Sequence, residues 1–527
     1  MNKMRIPVIG TLIALVLLSA AFYFIRAMSP AKKVCPDCNV ILITVDSVNN
    51  THLGLYGYNR PTSPNLDAWA KDAAVFSQYI TSSDLTPITQ TSLQTGKYPS
   101  HSGVVSFSSH LPETIPTLPE LLKKAGYTTV AYGSAPEYYE AGVSGWQQRR
   151  ANFHRGFDSF FDEYFESQIM PPAPADNPDR WPQKERGVPS GVIDWLSNAP
   201  KQKFFLWVPV GTVHWPYNDT KPFHFADKNY QGMFKNDSLH WQLPSQFKRV
   251  YKNQLWPVTG SPVPLTPEDH QFVVDRYDDG IYLTDQFLGE VFKTLEAKGL
   301  TKNTIVIFTT EHGEEFGEHD YIAHYDIFDP EIRVPLIIKA PGIAARNVAA
   351  QVSTVDVLPT LLDMIGLKHP ADIDGKSFLP ELLSPKEFPD SFRKYAFIER
   401  TPLMETLMYD SLNADEAWLI NFLKLDGQHH YRDVAIRTHE WKLIFRESRD
   451  IQEQYSWWRK LSGDTTPIAE FELYHLTDPA LEKTNVIDKY PDVAAELKTE
   501  LMKRIAAEKN SRDTIPTDFE EVNIGTK

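Results

Sequence analysis

The chain has 527 residues, enough for one large core and a smaller domain. A hydrophobic content of 42% with 23% charged residues is that of a globular protein, without an internal repeat or long low-complexity tract. A formal net charge of -15 argues against nucleic acid, or an anionic membrane surface, as the main partner, since neither attracts an acidic chain.

The N-terminus opens on a basic start and then an uncharged, mostly apolar run over residues 6–25. As a helix, twenty residues reach roughly 30 Å, enough to cross a bilayer. A cleaved signal peptide has a shorter apolar region, so the reading is an uncleaved single-pass anchor. Cleavage near Ser19-Ala20-Ala21 is the alternative. Lys3 and Arg5 on one side and Arg26, Lys32 and Lys33 on the other nearly tie on the positive-inside rule. The only cysteines, Cys35 and Cys38, precede the first strand. No other cysteine or histidine cluster accompanies them to make a zinc knuckle, and no thioredoxin-like unit follows. A small structural disulfide in an oxidising compartment is therefore expected.

From Asn39 onward apolar runs alternate with amphipathic helices, the pattern of an α/β fold built on a large, mixed, mostly parallel sheet. "VILITVD" (residues 40–46) is an apolar run that ends in Asp46. "SSDLTPITQTSLQTGKYPS" (residues 82–100) is dense in hydroxyls, and Thr86 directly precedes Pro87. On local grounds Thr86 is a helix N-cap with Pro87 at the first helical position. "FFLWVPVGTVHWPY" runs into His214, and "TIVIFTTEHGEEFGEH" breaks at Glu311-His312-Gly313. Between them "RYDDGIYLTDQFLGEVFKTLEAKG" carries an apolar stripe of Tyr277, Ile281, Leu288, Val291, Phe292 and Leu295, and Gly299 stops it. Ligands bind beyond the carboxyl ends of the strands in open α/β sheets. Three strands that each place an acid or a histidine there point to a metal or anion site. Asp46, Glu311 and His312 form an oxygen-rich set that suits Ca²⁺, Mg²⁺ or Mn²⁺ better than structural zinc.

These stretches, with "NVILITVDSVNNTHLGLYGYNRPTSPNLDAWA", "TSLQTGKYPSHSGV", "TVHWPY", "IAHYDIFDPEIRVPLIIKAPG", "VSTVDVLPTLLDMIGL" and "VAIRTHEWKLI", occur in an order that resembles the sulfatase family of the alkaline phosphatase superfamily. The resemblance implies one divalent metal ion (Ca, Mg or Mn, with Zn the remaining option) at Asp46, Thr86, Glu311 and His312. It implies Thr86 as nucleophile, and His214 and His324 as anion binders or leaving-group acids. Gln90, His214, His324 and Lys442 are the expected substrate-binding residues. The apolar run makes residues 1–38 a membrane anchor (or signal peptide) and linker, and the resemblance divides the rest into a catalytic domain over 39–366 and a C-terminal α+β subdomain over 367–527 with a small antiparallel sheet and a final helix. Its usual compartment places everything after Cys35 outside the cytoplasm, in the periplasm of a bacterium.

The chain departs from the family pattern at Thr86, where sulfatases carry a cysteine or serine that becomes formylglycine. Gln90 replaces the arginine that clamps the nucleophile, Ser47 replaces a second aspartate, and Glu311 replaces an aspartate. A Gly-Lys-x-His element reads Gly133-Ser134-Ala135-Pro136. Threonine is the nucleophile in other branches of the superfamily. Three readings follow: a membrane-anchored hydrolase of sulfate, phosphate or phosphonate esters; a phosphoethanolamine- or phosphoglycerol-type transferase working through a phospho-threonine; and an inactive sulfatase-fold binding module. The ester would be a small molecule, a glycan or a lipid head group. Elsewhere, His429 and His430 read as a solvated turn, and Glu314, Glu315 and Glu318 as a solvated acidic loop. The Trp-rich stretch from Trp215 to Trp256, with Trp457 and Trp458, reads equally as sugar or lipid stacking and as rim packing.

Overall fold

The central element is a nine-stranded sheet built outward from strand Asn39–Val45. A computed structural model describes residues 34–105, 109–133, 154–162, 188–189, 191–214, 217, 224–234, 248–251, 254–257, 263–324, 326–384, 386, 388–400, 432–447, 465–477 and 482–512. Asn39–Val45 pairs in parallel with Phe204–Val210 on one side and Thr304–Thr309 on the other. Thr128–Gly133 and Ser159–Asp162 extend the sheet beyond Phe204–Val210, and both are parallel to it. On the opposite flank Arg333–Lys339 runs antiparallel between Thr304–Thr309 and Ala74–Ile80. The expected large, mostly parallel sheet is present, with Arg333–Lys339 its one reversed strand among the described residues.

Alternation explains why this sheet is buried on both faces. Ile41, Ile43 and Val45 enter one apolar layer with Tyr277, Ile281, Leu288 and Val291. Val40 and Leu42 enter the other layer with Trp207, Ile305, Leu358 and Leu361. A period of two places successive side chains on opposite faces. Full burial of each such side chain contributes on the order of 1.5–3 kcal/mol. The helix behind the first layer is Pro267–Ala297, ten residues longer at its start than the apolar stripe indicates; Thr266 and Asp269 form its capping box. The chain then turns at Gly299, whose φ of 68° is the left-handed conformation glycine adopts without a Cβ penalty.

Two smaller antiparallel sheets flank this core. One has four strands in the order Ala396–Arg400, Asp433–Arg437, Trp441–Arg446 and Phe471–His475, packed beneath helix Pro491–Arg512 through Ala494, Leu497, Leu501 and Ile505. This is the expected C-terminal α+β unit. The other has five short strands drawn from residues 248–264 and 315–323 and was not anticipated.

Cys35 and Cys38 form the expected disulfide. Residues 6–25, His429, His430, Trp457, Trp458 and most of the Trp-rich stretch lie outside the described residues. Among the described residues no helix is long and apolar enough to cross a membrane.

Candidate active site

At the carboxyl edge of the sheet, Asp46 follows the Asn39 strand and is 1% exposed. The next residue, Ser47, has a φ of 62°, costly for a side chain with a Cβ. Its carbonyl accepts from the Tyr277 hydroxyl at 2.7 Å, and its own hydroxyl donates to Asp46 Oδ1 at 3.3 Å. The chain is thus bent away at once, leaving the Asp46 carboxylate at the mouth of the strand.

Thr86 opens helix Thr86–Thr95, and here the cap reading fails. The N-cap position is Leu85, in extended conformation, with no side-chain cap bond. The Thr86 hydroxyl instead points at Asp46, 3.2 and 3.3 Å from its two carboxylate oxygens, and lies 3.1 Å from His312 Nε2. Helix boundaries shift by a residue between definitions, so the direction of the hydroxyl is what decides. It serves the site, not the helix.

Glu311 and His312 follow the Thr304 strand, both buried. Gly313 lets the chain turn there, since its N–H donates to the Glu331 carbonyl at 2.6 Å and a Cβ would collide with the Pro330 carbonyl. His312 Nδ1 lies 2.9 Å from the Gly313 carbonyl, which can only accept, so this nitrogen carries hydrogen and Nε2 faces Thr86 and Asp46. Burial opposes charging of His312, but Asp46 at 3.2 Å outweighs it and raises the imidazole to about 9. Burial likewise pushes the Asp46 carboxyl up, and His312 and His214 together bring it below its usual value. Glu311 is pushed up to about 8 by burial and then by the charge of Asp46.

Gln90 lies one turn along the helix from Thr86. Its amide nitrogen donates to Thr44 Oγ1 at 3.0 Å and to Glu311 Oε1. Thr44 also accepts from Trp207 Nε1 at 3.1 Å, so a polar side chain inside the apolar layer is satisfied from both sides.

The rings of His324 and His312 lie 4.0 Å apart, and His214 lies 5.1 Å from His324. His324 Nδ1 sits 2.8 Å from Glu314 Oε1 and is aimed by Ala323, whose φ of 101° is a second strained position flanking the site. Burial, then the neighbouring His312, His214 and Arg400, holds His324 well below its usual value.

Thr86, Gln90, Asp46, Glu311, His312, His214 and His324 thus come together. Lys442 does not join them. Its ammonium donates to the Ile327 carbonyl at 2.7 Å and pairs with Glu482, in a buried cluster with Asp329 and Arg437. The acidic loop also differs from expectation: Glu314 and Glu315 are buried, because His324 and His319 supply partners. Arg400, which carries no motif, reaches Asp84 at 2.7 Å.

Among the described residues no three His, Cys, Asp or Glu side chains stand gathered around a metal position. Asp46 and His312 are turned onto each other and Glu311 onto Gln90. The donor chemistry nonetheless fits a divalent ion. Glu311 Oε2 and Gln90 Oε1 are buried without a partner, and the charge of Asp46 raises the proton affinity of Glu311 where a cation would lower it.

The fold is that of the alkaline phosphatase superfamily. A family model described as Sulfatase matches residues 38–367, and one described as N-sulphoglucosamine sulphohydrolase, C-terminal, matches residues 317–510. The chain belongs to the sulfatase family, whose members generally use a divalent metal ion. It is 27% identical to the ulvan-active sulfatase of Formosa agariphila over 66% of this chain and 65% of that one. It is 23% identical to an N-acetylglucosamine-6-O-sulfatase of Bacteroides thetaiotaomicron over 83% of each chain. The chain spans just under two thirds of the ulvan-active sulfatase and of the rat N-acetylgalactosamine-6-sulfatase, at 65% and 66%. The solved phosphonate monoester hydrolase of Agrobacterium radiobacter superposes with a TM-score of 0.65 at 21% identity, covering 89% of this chain and 96% of that one, and so shares the fold.

Proposed function

We propose that the chain is a metal-dependent hydrolase of sulfate, phosphate or phosphonate esters with Thr86 as nucleophile, anchored by residues 6–25 with its catalytic domain outside the cytoplasm. The observation that carries the chemistry is the Thr86 hydroxyl, which caps nothing and faces both Asp46 and His312. The named relatives, an ulvan-active sulfatase and an N-acetylglucosamine-6-O-sulfatase, support sulfate esters of glycans as the substrate class.

Asp46, Thr86, Glu311 and His312 would hold the ion. Bound there, it would lower the hydroxyl pKa of Thr86 and offset charge on the ester oxygens. Thr86 Oγ1 attacks sulfur or phosphorus, and its proton passes to the Asp46 carboxylate 3.2 Å away. The ester bond to the alcohol breaks, and His214 gives the departing oxygen its proton. His324, uncharged and held through Nδ1 by Glu314, presents Nε2 as the base for the water that cleaves the Thr86 adduct. Sulfate, phosphate or phosphonate leaves, Asp46 returns its proton to the Thr86 oxygen, and the proton taken up by His324 passes through solvent to recharge His214. A threonine ester cannot collapse to an aldehyde as formylglycine does, so this water step is required.

The test is a panel of sulfate, phosphate and phosphonate esters given to the purified full-length chain, with and without added Ca²⁺, Mg²⁺, Mn²⁺ or Zn²⁺. Metal-dependent turnover of at least one ester is expected. If no ester is turned over above the Thr86→Ala variant, the chain is a binding module and the proposal falls.

A further inference from the structure

Strand Ala396–Arg400 is the edge of the C-terminal sheet, and an unpaired edge needs a cover. Its cover is the segment that carries Thr86. The Glu399 N–H donates to the Ser82 carbonyl at 2.9 Å. Consecutive strand residues then point to opposite faces, and both grip the same segment. Arg400 Nε donates to Asp84 Oδ2 at 2.7 Å, with the Arg400 side chain 5% exposed and Asp84 fully buried. Glu399 accepts from the Ser100 N–H at 3.0 Å and from its hydroxyl at 2.8 Å. Glu399 is itself held by Arg432 at 2.8 Å and by Arg504 of the final helix at 3.3 Å. Contacts thus fall on both sides of helix Thr86–Thr95, at residues 82 and 84 before it and at 100 after it.

We propose that Glu399 and Arg400 form a clamp by which the C-terminal subdomain positions Thr86 against Asp46 and His312, with the Arg400–Asp84 pair as its active-site end. The proposal rests on the nucleophile reading of Thr86 for its kinetic consequence, but not for its structural one. Asp84 stands two residues before Thr86, so a shift of that carboxylate is passed directly to the hydroxyl. A displacement of about 1 Å from reacting geometry can cost on the order of a hundredfold in rate. Arg400 is a positioning residue here: it acts through Asp84, and since its charge also lies near His324, the exchange readout at residues 82–89 is what isolates the clamp.

The test compares wild type with Arg400→Met, Arg400→Lys and the charge-neutral pair Asp84→Asn/Arg400→Met, the last avoiding a lone buried carboxylate if the single change fails to fold. Two readouts are taken. In hydrogen exchange, amides of residues 82–89 are expected to lose at least about tenfold protection in Arg400→Met, while the Asn39 and Thr304 strands keep theirs. In kinetics, kcat should fall by about thirtyfold or more at nearly constant KM in Arg400→Met and in the pair, and Arg400→Lys should recover part of it. Unchanged exchange at 82–89 in both Arg400→Met and the pair would overturn the clamp, even if no substrate is found for wild type. A rise in KM alone would overturn it as well, because Arg400 would then be a substrate contact.

Discussion

Removing the Thr86 hydroxyl is expected to separate catalysis from folding more sharply than any other change. Were Thr86 a cap, alanine would cost on the order of 1 kcal/mol and leave chemistry intact. Since no cap bond exists, the stability effect must come from elsewhere. One buried methyl is worth about 0.8 kcal/mol. Loss of the hydroxyl beside Asp46 adds roughly 1 kcal/mol, because that carboxylate keeps His312 at 3.2 Å and Ser47 at 3.3 Å as partners. Thr86→Ala is therefore expected to cost about 2 kcal/mol in a chelator-containing melt, while turnover falls by about a thousandfold or more. Thr86→Ser keeps the oxygen and loses only the methyl, so it should keep measurable turnover at a cost near 1 kcal/mol. Initial rates on the best ester, thermal unfolding and mass spectrometry of slow-substrate adducts measure all three. Thr86→Ala retaining more than a tenth of wild-type turnover, or an adduct on another residue, would refute the reasoning.

Metal content should fall in Asp46→Ala and His312→Ala, and the roughly 2.7 kcal/mol that a ligand at a hundred times its Kd gives wild type should vanish; elemental analysis and melts with and without chelator check this. In the Lys442 cluster, burial pushes the Asp329 carboxyl up, but Arg437 and Lys442 outweigh it and hold it well below the usual range. A depressed folded pKa gives stability that is present above the unfolded value near 4 and lost as pH falls through the folded one. Asp329→Asn is thus expected to cost about 3 kcal/mol at pH 7, a difference that shrinks below about pH 4; denaturant titrations across that range check it. The anchor predicts retention on membranes through high-salt and alkaline washes, and release on deletion of residues 6–25; fractionation decides.

How much of this was legible in the sequence depended on how far apart the interacting residues lie. Asp46, Glu311 and His312 were readable because each ends a run of apolar residues, and burial of both sheet faces makes such runs continuous. The five-stranded sheet was not readable, because strands of two to four residues are too short to show a period. The Arg400–Asp84 pair spans 316 residues of chain, and neither member carries a local pattern. Glu314 and Glu315 were misread as solvated for the opposite reason: their partners, His324 and His319, lie close in sequence, but only the turn with Ala323 and Asp320 at positive φ brings the rings back onto the acids.

Two of the departures from the family pattern offset one another in charge. Gln90 in place of arginine removes a positive charge beside Glu311, and Ser47 in place of aspartate removes a negative one beside Asp46. These two changes cancel in charge, while the lysine lost from the Gly133-Ser134-Ala135-Pro136 element removes one further positive charge. Each replacement is also bonded to the acid it faces, Gln90 to Glu311 and Ser47 to Asp46. A decaying site would be expected to leave such acids unpaired in the interior, where each would cost several kcal/mol. Here Asp46 and Glu311 each have a side-chain partner on at least one oxygen, and the strained Ser47 and Ala323 flank them. Strain of that kind persists only where the surroundings over-determine it. On the proposed reading, the geometry around Thr86 is that of a site rebuilt around a different nucleophile.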